Sequence, residues 1–251
     1  MQFSGGIGSF CAALRVAQAH GTDNLVLLIA DTRVEDPDLW RFATQAAEHI
    51  GVPLTVVTDG RTPFEVFTDR RFLGNSRLAP CSIQLKQRPC RRWLREHTDP
   101  ASTVLYVGID WTELRRTYAI EAGWRPWPVK FPMCDPPLLS KEDMLAECRR
   151  LGIEPPRLYG LGFSHNNCGG VCVRAGQRQW LHLLRVFPDR FHAAERHEQQ
   201  LRDQLGDVAI LRERRGGISR PLTLRELRRR HESGHPAGQT PAHPETGGTR
   251  P

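Results

Sequence analysis

Gln2-Phe3-Ser4-Gly5-Gly6-Ile7-Gly8-Ser9-Phe10 opens the chain and runs straight into residues 11–19, an apolar stretch with helical spacing. Three glycines and two serines between a strand-like start and a helix describe a phosphate cradle. Glycines let backbone amides curl inward, the hydroxyls add hydrogen-bonding groups, and the helix N-terminus supplies partial positive charge. No Lys follows the last glycine, so this is not the lysine-bearing GxxxxGK[ST] loop. A tight glycine turn capped by Ser4 or Ser9 is the plain alternative.

The next residues place that loop in a fold. Residues 25–30 (LVLLIA) are continuously apolar, as expected of a strand buried on both faces, and end in Asp31-Thr32. An acidic residue at the carboxyl end of a parallel strand borders the ligand crevice of an open α/β sheet, so Asp31 is a candidate for Mg²⁺ or a ribose hydroxyl. A turn or cap role is its alternative, and Asp36-Pro37-Asp38 reads as a cap before a helix over 39–50. A further strand over 54–58 completes strand, helix, strand, helix, strand, the alternation of a doubly wound parallel sheet. The first strand spans only residues 1–3, too short for a useful buried strand, so a start further upstream or a trimmed chain is expected.

Further along, a helix is expected over 62–67 and a loop over 72–77. Cys81 and Lys86 lie in the segment that leads to a basic helix over 91–96. A strand over 104–109 ends at Gly108-Ile109-Asp110, with Arg115 and Arg116 beyond it as a candidate anion grip or, equally, surface charge. Residues 124–137 carry too much Pro for a long regular element. Ser140 caps a helix reaching residue 151, with Asp143 completing a loose capping box. Then comes Gly162-Phe163-Ser164-His165-Asn166-Asn167-Cys168-Gly169-Gly170-Val171-Cys172, where two glycines beside a cysteine pair suit a ligand loop. Helices over 177–186 and 190–205, a short strand over 208–211 and an Arg-rich helix over 222–231 follow. The Gly-, Pro- and His-rich remainder from 233 is expected to be disordered.

Composition narrows the class. The 251 residues are 39% hydrophobic and 25% charged, as in a soluble globular protein of one domain with appendages. No apolar run approaches the roughly 20 residues of a membrane span and no signal-peptide pattern is read at the start, so a cytoplasmic location is expected. The net charge of +7 favours polyanionic partners such as nucleotides or nucleic acid. Seven cysteines without an export signal point to metal or thiol chemistry rather than disulfides. Free Cys is also a common core residue, the expected role of Cys11, Cys134 and Cys148.

The order of these pieces resembles the PAPS reductase-like branch of the PP-loop ATP pyrophosphatase, or adenine nucleotide alpha hydrolase, superfamily over roughly residues 1–175. The matching pieces are Ser4-Gly5-Gly6, Asp31-Thr32, Cys81 with Lys86, Gly108-Ile109, Pro137-Leu138 before a helix, and Pro156-Arg157-Leu158-Tyr159 followed by Gly162 and the cysteine pair. The family motif is SGGxDS, and this chain has Gly8 where the family usually has Asp. The resemblance implies an α/β fold with a doubly wound, mostly parallel five-stranded sheet over 1–175, a helical C-terminal extension over 176–232 and a tail over 233–251. It implies that Ser4, Gly5, Gly6, Gly8, Ser9, Asp31 and Gly108 bind ATP or a PAPS-like adenine nucleotide with Mg²⁺, and that Asp31, Lys86 and Arg115 serve catalysis. Cluster-bearing reductases of the group have a Cys-Cys pair and a later Cys-x-x-Cys; here Cys81-Ser82 and Cys168-x-x-x-Cys172 leave three candidates. Cys81, Cys168 and Cys172 would hold a [4Fe–4S] cluster with one open iron, or zinc with Cys90 or His165 as fourth ligand. The nucleophilic cysteine near the C-terminus of sulfonucleotide reductases has no counterpart, since no Cys follows Cys172.

Three functions remain open. The favoured one adenylates an acceptor for sulfur transfer, with tRNA or DNA as acceptor and a separate sulfur donor. The second reduces a sulfonucleotide using a thioredoxin-like thiol partner. The third is a non-catalytic nucleotide or nucleic-acid binding module.

Overall fold

The apolar run after Thr22 forms strand β1, Leu27–Asp31, whose first three residues are buried, as a strand covered on both faces requires. A computed structural model describes residues 1–234 of the chain; the tail expected to be disordered falls almost wholly outside them. Helix α1, Ile7–His20, precedes β1 and buries Ile7, Phe10, Cys11, Ala13 and Val16. Helix α2, Pro37–Ile50, follows it, capped by the Asp36 side chain accepting from the Asp38 amide at 3.0 Å. Strand β2, Leu54–Thr58, then pairs in parallel with β1, Leu27 opposite Leu54 and Asp31 opposite Thr58.

A second parallel pair joins β3, Leu105–Tyr106, to β4, Val129–Lys130. Residues 1–3 lie between the two pairs. Gln2 bridges in parallel to Leu28 on one side and to Val107 on the other, with Gln2 N–H donating to Tyr106 O at 2.9 Å and Phe3 N–H to Leu28 O at 2.8 Å. The expected five-stranded sheet is not confirmed: among the described residues the parallel ladders are two two-stranded pieces, joined through single bridges at Gln2. The physical reasons are local. Three residues cannot make a ladder, Pro128 and Pro132 confine β4 to two residues, and the chain after β3 leaves the sheet to meet loop 4–9.

Between β2 and β3 lie α3, Pro63–Asp69, capped by a Thr62–Glu65 box, and a π-helical turn, Ser82–Gln87, that runs into α4, Arg88–His97. After β3 comes a 3₁₀ segment, Trp111–Arg116, and α5, Thr117–Trp124, which sequence patterning does not foresee. Helix α6, Lys141–Arg150, carries the expected Ser140–Asp143 capping box. The short α7, Arg157–Gly160, is followed by α8, Gln177–Val186, and α9, Pro188–Leu205. Strands β5, Leu211–Arg215, and β6, Ile218–Leu222, form an antiparallel hairpin before α10, Leu224–Glu232. The strand expected over 208–211 is thus displaced and paired. Its turn is Gly216-Gly217, both at positive φ, a two-residue hairpin signal.

Three apolar cores result. Phe3, Phe10, Leu27, Leu39 and Phe42 fill the space between α1, α2 and the strands. A second core joins Phe67, Leu158 and Phe163 to Trp180, Phe191 and Leu222, so the C-terminal helices share apolar packing with earlier elements. Leu94, Trp124 and Trp127 close the third around Cys90. Among the described residues no helix is long and apolar enough to cross a membrane.

Candidate active site

Loop 4–9 sits where the parallel chain segments end. Ser9, buried in the first turn of α1, accepts from the Ser4 amide and hydroxyl at 3.2 Å each and donates to Gly6 O at 2.8 Å, which closes the loop on itself. The amides of Gly8 and Ser9 have no partner among the described residues and point from a helix N-terminus, where partial positive charge collects. Gly108, just past β3, touches this turn: a Cβ there would lie 2.6 Å from Ser9 Cα and 2.9 Å from Gly8 O. A Cβ on Gly8 would in turn sit 3.0 Å from Gly108 O, a tight approach that glycine avoids.

The later segment 159–172 covers the loop. Tyr159 accepts from the Ile7 amide at 3.2 Å, and the buried Asn166 amide group donates to Gly5 O at 2.8 Å. Lys141 stands with its ammonium 5.9 Å from the Tyr159 ring centroid and donates to Ser164 O at 2.6 Å. Asn166 therefore supports the glycine loop directly.

Beyond Asn166 the chain turns at Cys168–Gly170. Cys168 has φ of +51° and Gly169 +56°, and a Cβ on Gly169 would meet Val34 O at 2.7 Å. Glu35 organises this turn. Its buried carboxylate accepts from Thr32 Oγ1 at 2.8 Å, Lys86 Nζ at 3.2 Å and the Cys168 amide at 2.5 Å. Asp36, its neighbour, pairs with Arg157 at 2.7 Å and Arg190 at 2.8 Å, and Arg190 also donates to Gly169 O at 2.8 Å. Burial, the largest single influence, would lower the Lys86 pKa, but Glu35, Cys168 and Cys172 together outweigh it and raise it, so Lys86 stays cationic.

The thiols are unequal. Cys168 keeps its proton and donates to Cys172, which raises the first pKa and lowers the second; burial raises both and Lys86 lowers both. Burial pushes the Cys81 thiol up to about 11, with Cys172 adding to the effect. The pair thus presents one thiolate beside an ammonium, the setting that makes a cysteine nucleophilic.

No three His, Cys, Asp or Glu side chains among the described residues converge as a set that would hold a metal ion. A [4Fe–4S] cluster or zinc ion held by Cys81, Cys168 and Cys172 is therefore not supported. The alternative fourth ligands are engaged elsewhere: Cys90 is enclosed with Trp124 and Trp127, and His165 lies among Lys141, Glu113 and Arg116. Of the smaller expected core cysteines, Cys11 and Cys148 are buried, whereas Cys134 is half-buried and contacts Ile109 O at 3.6 Å.

Asp31 stands at the carboxyl end of β1, where its Oδ1 accepts from the Arg33 amide at 2.7 Å. Arg115 is exposed on the 3₁₀ segment with no hydrogen bond or ion pair among the described residues. Sequence patterning missed Glu35, which reads as one acid in a capping cluster, and Tyr159, which reads as part of a motif without a contact. A cavity of about 330 Å³ lined by Thr44, Glu48 and Leu54 opens at the amino end of β2, the opposite end from loop 4–9.

No family model and no curated protein matches the chain. Among solved structures it is similar to the phosphate complex of phosphoadenylyl-sulfate (PAPS) reductase from Candida auris, at 14% identity and a TM-score of 0.44, over 65% of this chain and 77% of that one.

Proposed function

We propose that the protein is a PP-loop enzyme that binds ATP or a related adenine nucleotide at loop 4–9 and activates an acceptor by adenylation for sulfur transfer. The observation that carries this reading is the pair of unpartnered amides at Gly8 and Ser9, clamped by Tyr159 and Asn166 to the same segment that bears Cys168 and Cys172. The acceptor attacks the α-phosphorus of ATP and pyrophosphate leaves; the loop amides and Ser9 hold the departing phosphates as charge develops on them. The outer sulfur of a Cys172 persulfide, supplied by an external sulfur donor, then attacks the activated acceptor and expels AMP, which leaves the acceptor joined to Cys172 through an S–S bond. Cys168 attacks Cys172 Sγ, breaks that bond to leave the sulfur on the acceptor, and forms a Cys168–Cys172 disulfide that an external thiol reduces. Lys86 neutralises anionic oxygens, and Asp31 and Arg115 contribute at the nucleotide's sugar and phosphates. Mg²⁺ accompanies ATP as part of the substrate. Nucleic acid is the acceptor favoured by the net charge of +7.

A second reading rests on the contact between Cys168 and Cys172. Cys172 would attack the sulfur of a sulfonucleotide and expel the nucleotide; Cys168 would then attack Cys172, releasing sulfite and leaving a disulfide for a thioredoxin-like partner to reduce. Product analysis separates the two. Pyrophosphate released from ATP, dependent on nucleic acid and abolished in Ser9→Ala, supports the first. Sulfite released from PAPS or adenylyl sulfate without pyrophosphate contradicts it and selects the second.

A further inference from the structure

Resting on the nucleic-acid acceptor reading, we infer that the surface formed by the 3₁₀ segment Trp111–Arg116 and the start of α5 docks single-stranded nucleic acid and delivers an unstacked base to the crevice beside loop 4–9. Large apolar side chains are concentrated here without cover: Trp111 is 39% exposed, Leu114 53%, Leu138 50% and Tyr118 79%. An aromatic ring left this open is costly unless it meets a partner, and unstacked bases are the partner whose faces match it. Trp111 is held in place by its indole N–H donating to Leu139 O at 3.1 Å, so the ring is a fixed platform.

One unpaired cation stands among these rings. Arg115 has no counter-ion among the described residues and projects from the same turn as Leu114. Lys141 and His165 border the patch, and burial followed by the nearby Lys141 lowers the His165 pKa, so the positive charge at its edge comes from lysine and arginine. Arg116 is taken up by Glu113, so the cations free to meet phosphates are Arg115 and Lys141, while the exposed rings stack on bases. A duplex keeps its base faces stacked and offers only the phosphate contact.

Position ties the patch to chemistry. The chain that leaves β3 at Val107 touches loop 4–9 at Gly108 and reaches Trp111 three residues later. On the other side, Tyr159 links the Ile7 amide to Lys141, and Lys141 holds Ser164 beside His165. A strand lying on Tyr118 and Trp111 thus has its neighbouring nucleotide at the mouth of the proposed adenylation site.

The test is fluorescence anisotropy of a labelled single-stranded oligonucleotide of about 20 nucleotides, longer than the ~4–16 of a typical single-strand site, against its duplex. The full chain should prefer the single strand, Tyr118→Ala should weaken that binding about tenfold or more, and Tyr118→Phe should restore it. Log affinity should fall with log salt by roughly 0.7 per phosphate neutralised. ATP binding, measured in parallel, should be the same in all three proteins. Unchanged oligonucleotide affinity in Tyr118→Ala overturns the inference, as does a chain dimer that this substitution dissolves. If ATP binds and Tyr118 has no effect, only this inference fails. If the oligonucleotide binds through Tyr118 and ATP does not bind, the docking surface stands and the adenylation reading fails.

Discussion

Glu35 does more at the site than any residue that a motif search selects. One buried carboxylate takes three hydrogen bonds, from Thr32, Lys86 and the Cys168 amide, and so fixes a cation and a thiol turn together. Its role was illegible because an acid after a strand reads as a cap, and its partners lie 51 and 133 residues away in sequence. The cysteines were legible as a set; their division into one donor and one thiolate depends on geometry that spacing does not encode. The account predicts that Cys172 alkylates at neutral pH, because its thiol titrates below the ordinary value of 9.0. Cys168→Ala removes the donor, moves the midpoint of the rate–pH profile upward, and slows iodoacetamide labelling at pH 7 by up to about tenfold for each unit that the midpoint rises beyond pH 7. Mass spectrometry of the labelled peptide against pH measures this; an unshifted midpoint contradicts it. Gly108→Val places a Cβ against Ser9 Cα and should cost about 1–3 kcal/mol in thermal or denaturant unfolding while abolishing nucleotide binding.

At the scale of elements, periodicity and caps located most of the structure. The β1 run, the Asp36 cap of α2 and the Ser140–Asp143 box of α6 stand where their residues place them, since each is settled within a few residues of itself. The β5–β6 hairpin and α5 were not legible. The hairpin strands are Arg-rich rather than alternating, and they are fixed by a distant residue: buried Glu198 of α9 accepts from the Ile210 amide at 2.9 Å and the Leu224 amide at 2.6 Å. The turn after β1 offers the clearest energetic test. Burial works to raise the Asp36 pKa, but hydrogen bonds from Arg157, the Asp38 amide and Arg190 outweigh it and hold it below 3.8. A depressed carboxyl pKa stabilises the fold fully above the unfolded value and loses that stabilisation as pH falls through the folded one. Asp36→Asn should therefore cost about 2–3 kcal/mol at pH 7, the lower end for a broken buried pair because both arginines are partly in water. The difference from wild type should shrink below about pH 4. Urea unfolding at pH 7 and pH 3 checks both statements, and a pH-independent difference would contradict them.

For the molecule as a whole, the parallel segments converge so that Ser4, Asp31, Thr58 and Gly108 follow the ends of adjacent chain runs, and segment 159–172 lies across them. That convergence is the crevice of an open α/β sheet, and alternating strand and helix patterns made it legible even though the sheet itself is broken into two short ladders. What the alternation could not supply was the cover, which depends on contacts between residues more than 150 apart, Ile7 with Tyr159 and Gly5 with Asn166. The most direct test of the central claim is isothermal titration calorimetry of the reduced protein with Mg–ATP, beside Ser9→Ala and Gly108→Val. Saturable binding of one nucleotide per chain, weakened in Ser9→Ala and lost in Gly108→Val, is the predicted result. Absence of binding heat in the wild type, or equal binding in all three proteins, would contradict a nucleotide held on loop 4–9.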